Sequence, residues 1–344
     1  MTHRFPIKEI ARQAGLGTAT VDRVLNGRAH VSPQTRLRVS AAIDELTEQE
    51  AQLAARGRRL FFDFVVEAPS RFSREVRRAA EAILPQIGPA ACRPRFLLQE
   101  IMEEDEVLRA LQRILKRGSH GVCLKARDTI RIREAVNGLL AAKIPVVTLV
   151  TDIGGTDRLT YVGLDNAGAG RTAAFLVAKT VRNSNGTVLA SRSHDRFLGE
   201  AEREVAFLET LKSLCPNMHI LSVQGGGGVD VGTSMLLDGV LEPISDLRAV
   251  YSMGGGNRTI LAELSDHGHR PDVFVAHDLD EENRSLLKER KLDFVLHHDL
   301  RQDMKQAFHT FLTYHRLLAE PVETTRSTAQ IVTPENVPAQ PRVI

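Results

Sequence analysis

Residues 7–26 read Ile7-Lys8-Glu9-Ile10-Ala11-Arg12-Gln13-Ala14-Gly15-Leu16-Gly17-Thr18-Ala19-Thr20-Val21-Asp22-Arg23-Val24-Leu25-Asn26. Ile7, Ile10, Ala11 and Ala14 fall at helical spacing and mark one buried face. Gly15 stops that helix, because glycine takes the left-handed conformation just past a helix end. The Thr18 hydroxyl is placed to cap a second helix beginning near Ala19. Val21, Val24 and Leu25 form its buried stripe, and Asn26-Gly27 marks a turn. Ser32-Pro33 opens a third helix, with Leu37, Ala41, Ile43 and Leu46 expected in its core. Ala11, Gly15 and Val21 supply what a helix-turn-helix needs: a small contact residue, a flexible turn and a branched anchor. The same periodicity also suits a plain three-helix bundle.

Charge separates the two readings. The 344 residues carry 45 Lys and Arg against 43 Asp and Glu, a net +2. Residues 1–60 hold ten basic and six acidic side chains, so the head is +4 and the remainder −2. A basic module on a near-neutral body points to a polyanionic partner. Composition is that of a globular chain, 42% hydrophobic and 26% charged, which excludes wholesale disorder. No apolar run reaches the roughly 18 residues of a membrane span. Cys92, Cys123 and Cys215 are scattered without C-x-x-C spacing, which supports neither a disulfide framework nor a zinc site. With no apolar leader at Met1–Phe5, a reducing, cytoplasmic setting is expected.

The strings Ile7–Gly15, Ala19–Asn26 and Val31–Arg36 resemble the headpiece of the lactose-repressor (LacI/GalR) family, whose signature is close to Ala-Thr-Val-x-Arg-Val-Leu-Asn. The resemblance implies that Thr18, Ala19 and Arg23 meet base edges in the major groove. Arg23 is able to pair bidentately with guanine. Thr20, Asn26, Ser32 and Thr35 correspond to phosphate clamps, which position without specifying. Asp22 departs from the family's usual serine. It could pair with Arg23 or Arg12, or accept from a cytosine amino group.

Residues 1–46 thus form the expected DNA-binding headpiece and 47–60 a hinge or linker. The Ala/Leu/Gln run Ala51–Ala55 has high helix propensity but is short for a stable isolated helix. The resemblance implies a hinge helix that orders on operator DNA, with Leu53 as a minor-groove wedge. Glu48-Gln49-Glu50 replaces the family's Pro-Asn entry, and a plain linker is the other reading.

Residues 61–344 alternate apolar runs with helical periods. The runs are Phe61–Val66, Arg95–Ile101, Gly121–Leu124, Pro145–Val150, Thr160–Val162, Gly186–Ala190, His219–Val223, Ala249–Met253, Val273–Ala276 and Phe294–His297. Such alternation predicts parallel sheets with crossover helices. The length exceeds one comfortable core, so two α/β lobes are expected. Ile144–Leu149, Val162–Asn166, Arg203–Phe207, Val275–Asp278 and the tail Ile331–Pro338 resemble landmarks of the family's periplasmic-binding-protein-like, effector-binding and dimerising core.

Ligands of such folds sit between the lobes, at strand C-terminal ends. The resemblance implies an effector that is a monosaccharide, sugar acid or polyol. By position, Phe72 would stack on it, Arg203 donate and Asp278 accept, with Asp152 and His298 nearby. Asn257 is a further candidate, after the Gly254–Gly256 run. Each has a plainer role open to it: core for Phe72, a solvated helix residue for Arg203, a turn or cap for Asp278 and Asp152, a loop for His298. Gly225–Gly228 fits neither G-x-G-x-x-G nor a P-loop. His267-x-His269 and His297-His298-Asp299 are read as surface or loop residues rather than a metal site, and no cofactor is expected. The expectation is a ligand-responsive, sequence-specific DNA-binding transcriptional regulator, a repressor, assembled as a homodimer or tetramer and without membrane contact. A transport receptor and an enzyme are the rivals; the second lacks any nucleophile motif. Arg23→Ala should weaken binding to the preferred DNA site by about 1–3 kcal/mol while leaving effector binding intact, measured by anisotropy and thermal shift side by side.

Overall fold

The computed structural model describes residues 3–28, 31–55, 58–88, 90–193, 197–226, 230–318 and 326–339, with the backbone alone at 48, 51–55 and 230. Three helices form the head: α1 (Ile7–Ala14), α2 (Thr18–Leu25) and α3 (Pro33–Ala55). Gly15 closes α1 at φ +60°, donating its N–H to the Ala11 and Arg12 carbonyls. Phe5, Ile10, Ala11, Val21, Val39 and Leu46 make the core.

Three expectations for the head need correction. Helix α2 begins at Thr18, so Gly17 is the cap and the Thr18 hydroxyl caps nothing. The inner face of α3 is Val39, Ala42, Ile43 and Leu46, at i, i+3, i+4, i+7. Leu37 and Ala41 lie on other faces, and Leu37 is 71% exposed. Asp22 pairs with neither Arg12 nor Arg23; it accepts from Asn26 Nδ2 at 2.8 Å and lies 3.6 Å from Arg28. Segment 47–55, expected as part of a hinge, continues α3 without a break. The Leu53 side chain lies outside the described residues.

The first lobe is a five-stranded parallel sheet of order β2-β1-β3-β4-β5. Its strands are β1 (Arg59–Glu67), β2 (Ala91–Gln99), β3 (Gly121–Lys125), β4 (Val146–Leu149) and β5 (Thr160–Val162). Strand β2 starts four residues before the expected Arg95. It contains Pro94, which an edge strand tolerates because one side needs no ladder donor. Helices α4 (Ser70–Ile83), α5 (Glu104–Arg117) and α6 (Ile130–Ala141) cover the sheet.

The second lobe is a six-stranded sheet of order β11-β10-β9-β8-β6-β7. It comprises β6 (Gly186–Arg192), β7 (Met218–Gln224), β8 (Leu247–Ser252), β9 (Val273–His277), β10 (Phe294–His297) and β11 (Gln330–Val332). The tail strand β11 alone runs antiparallel, along β10. Helices α7 (Asn166–Thr180), α8 (Leu198–Leu214), α9 (Asp230–Leu237), α10 (Asn257–Asp266) and α11 (Glu281–Lys288) complete the lobe. Helix α12 (Leu300–Tyr314) returns to the first lobe, where Phe311 stacks on Phe62 at 5.0 Å and Phe308 meets it edge-on.

The chain crosses between lobes after β5, before α12 and again before β11. The crossings are tied together. Leu164 bridges Ser327, and the Ser327 N–H donates to Gly163 O at 2.9 Å. Asp303, fully buried on α12, accepts from Ser327 Oγ and from His298 Nδ1 at 2.6 Å.

Helices α7 and α8 pack so closely that a Cβ on Gly170 would lie 2.2 Å from the Arg203 carbonyl oxygen. Backbone cannot yield there as a side chain would. Gly170→Ala is expected to cost about 1–3 kcal/mol by forcing the helices apart, read as a lower denaturant midpoint.

Candidate functional site

The C-terminal ends of the strands face one another across an interlobe cleft of about 740 Å³, open mouth included. Parallel sheets concentrate binding groups at these ends. The first lobe contributes the start of α4, with Arg71 and Phe72, and Lys125 at the end of β3. The second contributes Phe197, Glu200 and Arg203 from the start of α8, and His277, Asp278 and Asp280 after β9.

Arg203 is 3% exposed. Its Nε donates to Asn166 Oδ1 at 2.7 Å and its Nη1 to the Met253 carbonyl at 2.9 Å. Those bonds hold the guanidinium rigid in the cleft wall. Glu200, one turn before it, accepts from the Ser193 backbone N–H and hydroxyl. Asp278 sits at φ +64°, a left-handed position for a residue with a side chain. Its N–H donates to Leu296 O and its carbonyl accepts from Asn283 Nδ2, so the conformation is over-determined. Its Oδ1 is buried without a hydrogen bond among the described residues, 3.9 Å from His298 Nε2. The residue lines the cleft, where a carboxylate acceptor suits a ligand hydroxyl.

Lys125 Nζ donates to the Glu67 carbonyl at 2.7 Å and lies 3.6 Å from the Phe197 ring centre, across the cleft. Burial pulls its amine down to about 8, against the opposing pull of Glu200, Glu67 and Asp278. His277 bonds Tyr251 through Nε2 at 2.8 Å, and burial holds its imidazole well below the usual range. Val150, also lining the cleft, is left-handed at φ +63°. Gly163 and Gly199 press on its backbone, where a Cβ would come within 3.0 Å.

Of the residues expected to bind effector, Phe72, Arg203 and Asp278 line the cleft. Phe72 also packs in the first-lobe core. The other three do not line it. Asp152 is clamped by Arg158, Thr148 Oγ1 and the Ile153 N–H, so its carboxylate serves its own loop. Asn257 is buried behind the wall and donates to Asn283 Oδ1, which orients Asn283. His298 is fully buried, bound to Asp303, with Nε2 3.9 Å from Asp278 Oδ1. It backs Asp278 rather than facing the cleft. Gly254 and Gly255 do line the cleft; Gly255, at φ +96°, gives room to Arg71. Sequence reasoning missed Arg71, Lys125, Phe197, Glu200 and Asp280. Lys125 carried a usable signal, a charge ending a wholly apolar strand. Glu200 carried another, three residues before Arg203 on one helix face.

On the head, Thr18, Ala19 and Arg23 are exposed on α2. Thr20 is half-buried, and Asn26 folds back on Asp22. Ser32 Oγ accepts from the Thr35 N–H and meets the Thr35 hydroxyl at 2.8 Å, capping α3.

Arg71 Nε pairs with Asp280 Oδ2 at 2.9 Å, and this pair joins the lobes. Burial raises the Asp280 carboxyl to about 6, outweighing the Asn283 N–H and Arg71. A raised acid pKa contributes stability below the unfolded value and loses it as pH rises through about 6. Acidification from pH 7 to 5 therefore neutralises Asp280 and relieves the cost of its buried charge, which favours the closed arrangement. Without added sugar, small-angle scattering should show the radius of gyration fall over that window. Asp280→Asn should flatten the change, and a radius unchanged in the parent chain would contradict it.

Residues 6–47 match the family model for bacterial regulatory proteins, lacI family, and residues 103–314 match the model for the periplasmic binding protein domain. The HTH-type transcriptional regulator TreR of Salmonella typhimurium is 49% identical over 45 residues, 13% of this chain and 14% of that protein. The chain thus matches only about a seventh of that relative's length. A glucose-galactose binding protein from Geobacillus stearothermophilus superposes with TM-score 0.72 at 17% identity, over 82% of this chain and 100% of the other. A candidate LacI transcriptional regulator from Bacteroides fragilis gives 0.72 at 15%, over 81% and 98%. At such identities the likeness is one of fold. Among the described residues no helix is long and apolar enough to cross a membrane. The chain belongs to the periplasmic binding protein domain family and carries, ahead of that domain, the helix-turn-helix headpiece of the lacI family of bacterial regulatory proteins.

Proposed function

We propose that the protein is an effector-responsive, sequence-specific DNA-binding transcriptional regulator, acting in the cytoplasm as a repressor and a homodimer. The observation that carries this is the joining, in one chain, of a helix-turn-helix head to a two-lobed cleft lined with fixed donors and acceptors. Two heads on a dimer would read a pseudo-palindromic site. Thr18, Ala19 and Arg23 are the proposed base contacts, on the exposed face of α2.

The proposed effector is a monosaccharide, sugar acid or polyol. Arg203 and Lys125 would donate to its oxygens, Asp278 and Glu200 would accept from its hydroxyls, and Phe72 and Phe197 would cover its apolar face. The protein binds this ligand without turning it over. Arg203 links the cleft to the crossings, because Asn166, its acceptor, donates in turn to the Tyr161 hydroxyl. Tyr161 then reaches the carbonyls of Val150 and Leu164. A ligand that favours one lobe arrangement would bias operator affinity by about 1–3 kcal/mol.

A solute receptor without a DNA role is the second reading, favoured by the likeness of the core to sugar-binding proteins. Anisotropy on duplexes flanking the protein's own gene, at ~100 mM salt, separates the two. The regulator reading expects a preferred site whose affinity shifts with a sugar or polyol found by thermal shift. No preference for any site, with sugar binding intact, would favour the receptor.

A further inference from the structure

The core as a whole is slightly acidic, yet its cations are not evenly spread. Strand β1 places Arg59, Phe61 and Asp63 on one face, and β2 sets Ala91, Arg93 and Arg95 opposite them in register. Arg95 Nη2 bonds Asp63 Oδ2 at 2.7 Å, and Arg117, from the end of α5, bonds Oδ1 at 2.6 Å. Asp63 is buried, so two guanidinium groups already saturate it. Arg95 also lies over the Phe61 ring at 5.1 Å. Arg59 and Arg93 are exposed, and neither forms an ion pair among the described residues. Two arginines thus neutralise Asp63, and two more, Arg59 and Arg93, stand farther along the same strand face, so these five groups carry an excess of three positive charges.

The place of this cluster matters as much as its charge. The chain enters the core here, with the Arg58 carbonyl accepting from the Ala91 N–H at 3.0 Å. Arg58 follows the last residue of α3 by three positions, a span of at most about 11 Å. The cluster is therefore on the end of the first lobe to which the DNA-reading head is tethered. Exposed guanidinium groups on a rigid scaffold suit phosphate oxygens, which they meet bidentately.

We propose that the arginine cluster at the head-facing end of the first lobe, centred on Arg59 and Arg93, is a second, sequence-independent binding surface for the DNA phosphate backbone, carried by the core. It extends the DNA-binding reading above, in which the head alone touches DNA. Arg95 and Arg117 are held by Asp63, while Arg59 and Arg93 make the contacts.

The test uses the full chain with Arg59→Gln and Arg93→Gln together, and Arg93→Gln alone should the pair fail to fold. Binding to a random-sequence duplex and to any preferred site is measured across a salt series. Each phosphate contact contributes about −0.9 to the slope of log affinity against log salt. The double variant should lose about 1–2 from that slope on both duplexes, and affinity should fall on the order of tenfold at ~100 mM salt. Melting temperature and sugar response should stay as in the parent. An unchanged slope overturns the proposal while leaving operator recognition by the head intact. A parent chain that binds random duplex with the cluster-dependent slope, but prefers no site, keeps the cluster and removes the operator reading. A variant whose slope is unchanged but whose sedimentation shifts would assign the patch to self-association instead.

Discussion

A single fully buried carboxylate, that of Asp303, holds the crossings in register. It sits on α12, a helix that belongs to the first lobe by packing, and takes bonds from His298 and Ser327, which lie on the two neighbouring crossings. A buried charge is tolerated only when it is well partnered, and removing a partner is costly. The bonds are therefore an obligation as much as a convenience. They force the second and third crossings to move together, while the Leu164–Ser327 bridge ties in the first. Relative motion of the lobes is channelled into a concerted bend rather than independent slippage.

The cleft is arranged around that bend. His298 joins Asp303 on one side and approaches Asp278 on the other, so a group lining the cleft stands one residue from the crossings. Arg203 reaches them by a second route through Asn166 and Tyr161. The strained Val150 and Asp278 lie at strand ends on opposite lobes. Residues held in costly conformations collect where geometry is being prescribed rather than merely allowed.

The head was legible because its determinants are local. Gly15, Ser32-Pro33 and the apolar spacing of α1 and α2 all act within a few residues. The face of α3 was misjudged because Leu37 and Ala41 share the composition of an inner face without its phase. In the core, strand runs such as Thr160–Val162 and Phe294–His297 could be read directly, since buried parallel strands are continuously apolar. The cleft could be read only in part. Asp152 and Asp280 both follow a strand end, and nothing local separates them. Asp152 is consumed by Arg158, six residues on, whereas Asp280 meets Arg71 from the other lobe. Roles fixed by side chains distant in the chain leave no periodic trace.

The cross-cleft contacts carry a consequence for gain. Arg71–Asp280 and Lys125–Phe197 are closing contacts that the protein supplies itself. Whatever closing free energy they provide does not come from the ligand. A ligand shifts an equilibrium only by its differential affinity for the two arrangements. Built-in closure raises apparent affinity by enriching the competent form, and it narrows the dynamic range by raising the response in the absence of signal. Sensitivity and contrast are thus set against each other by two side-chain pairs, neither of which belongs to the DNA-reading head.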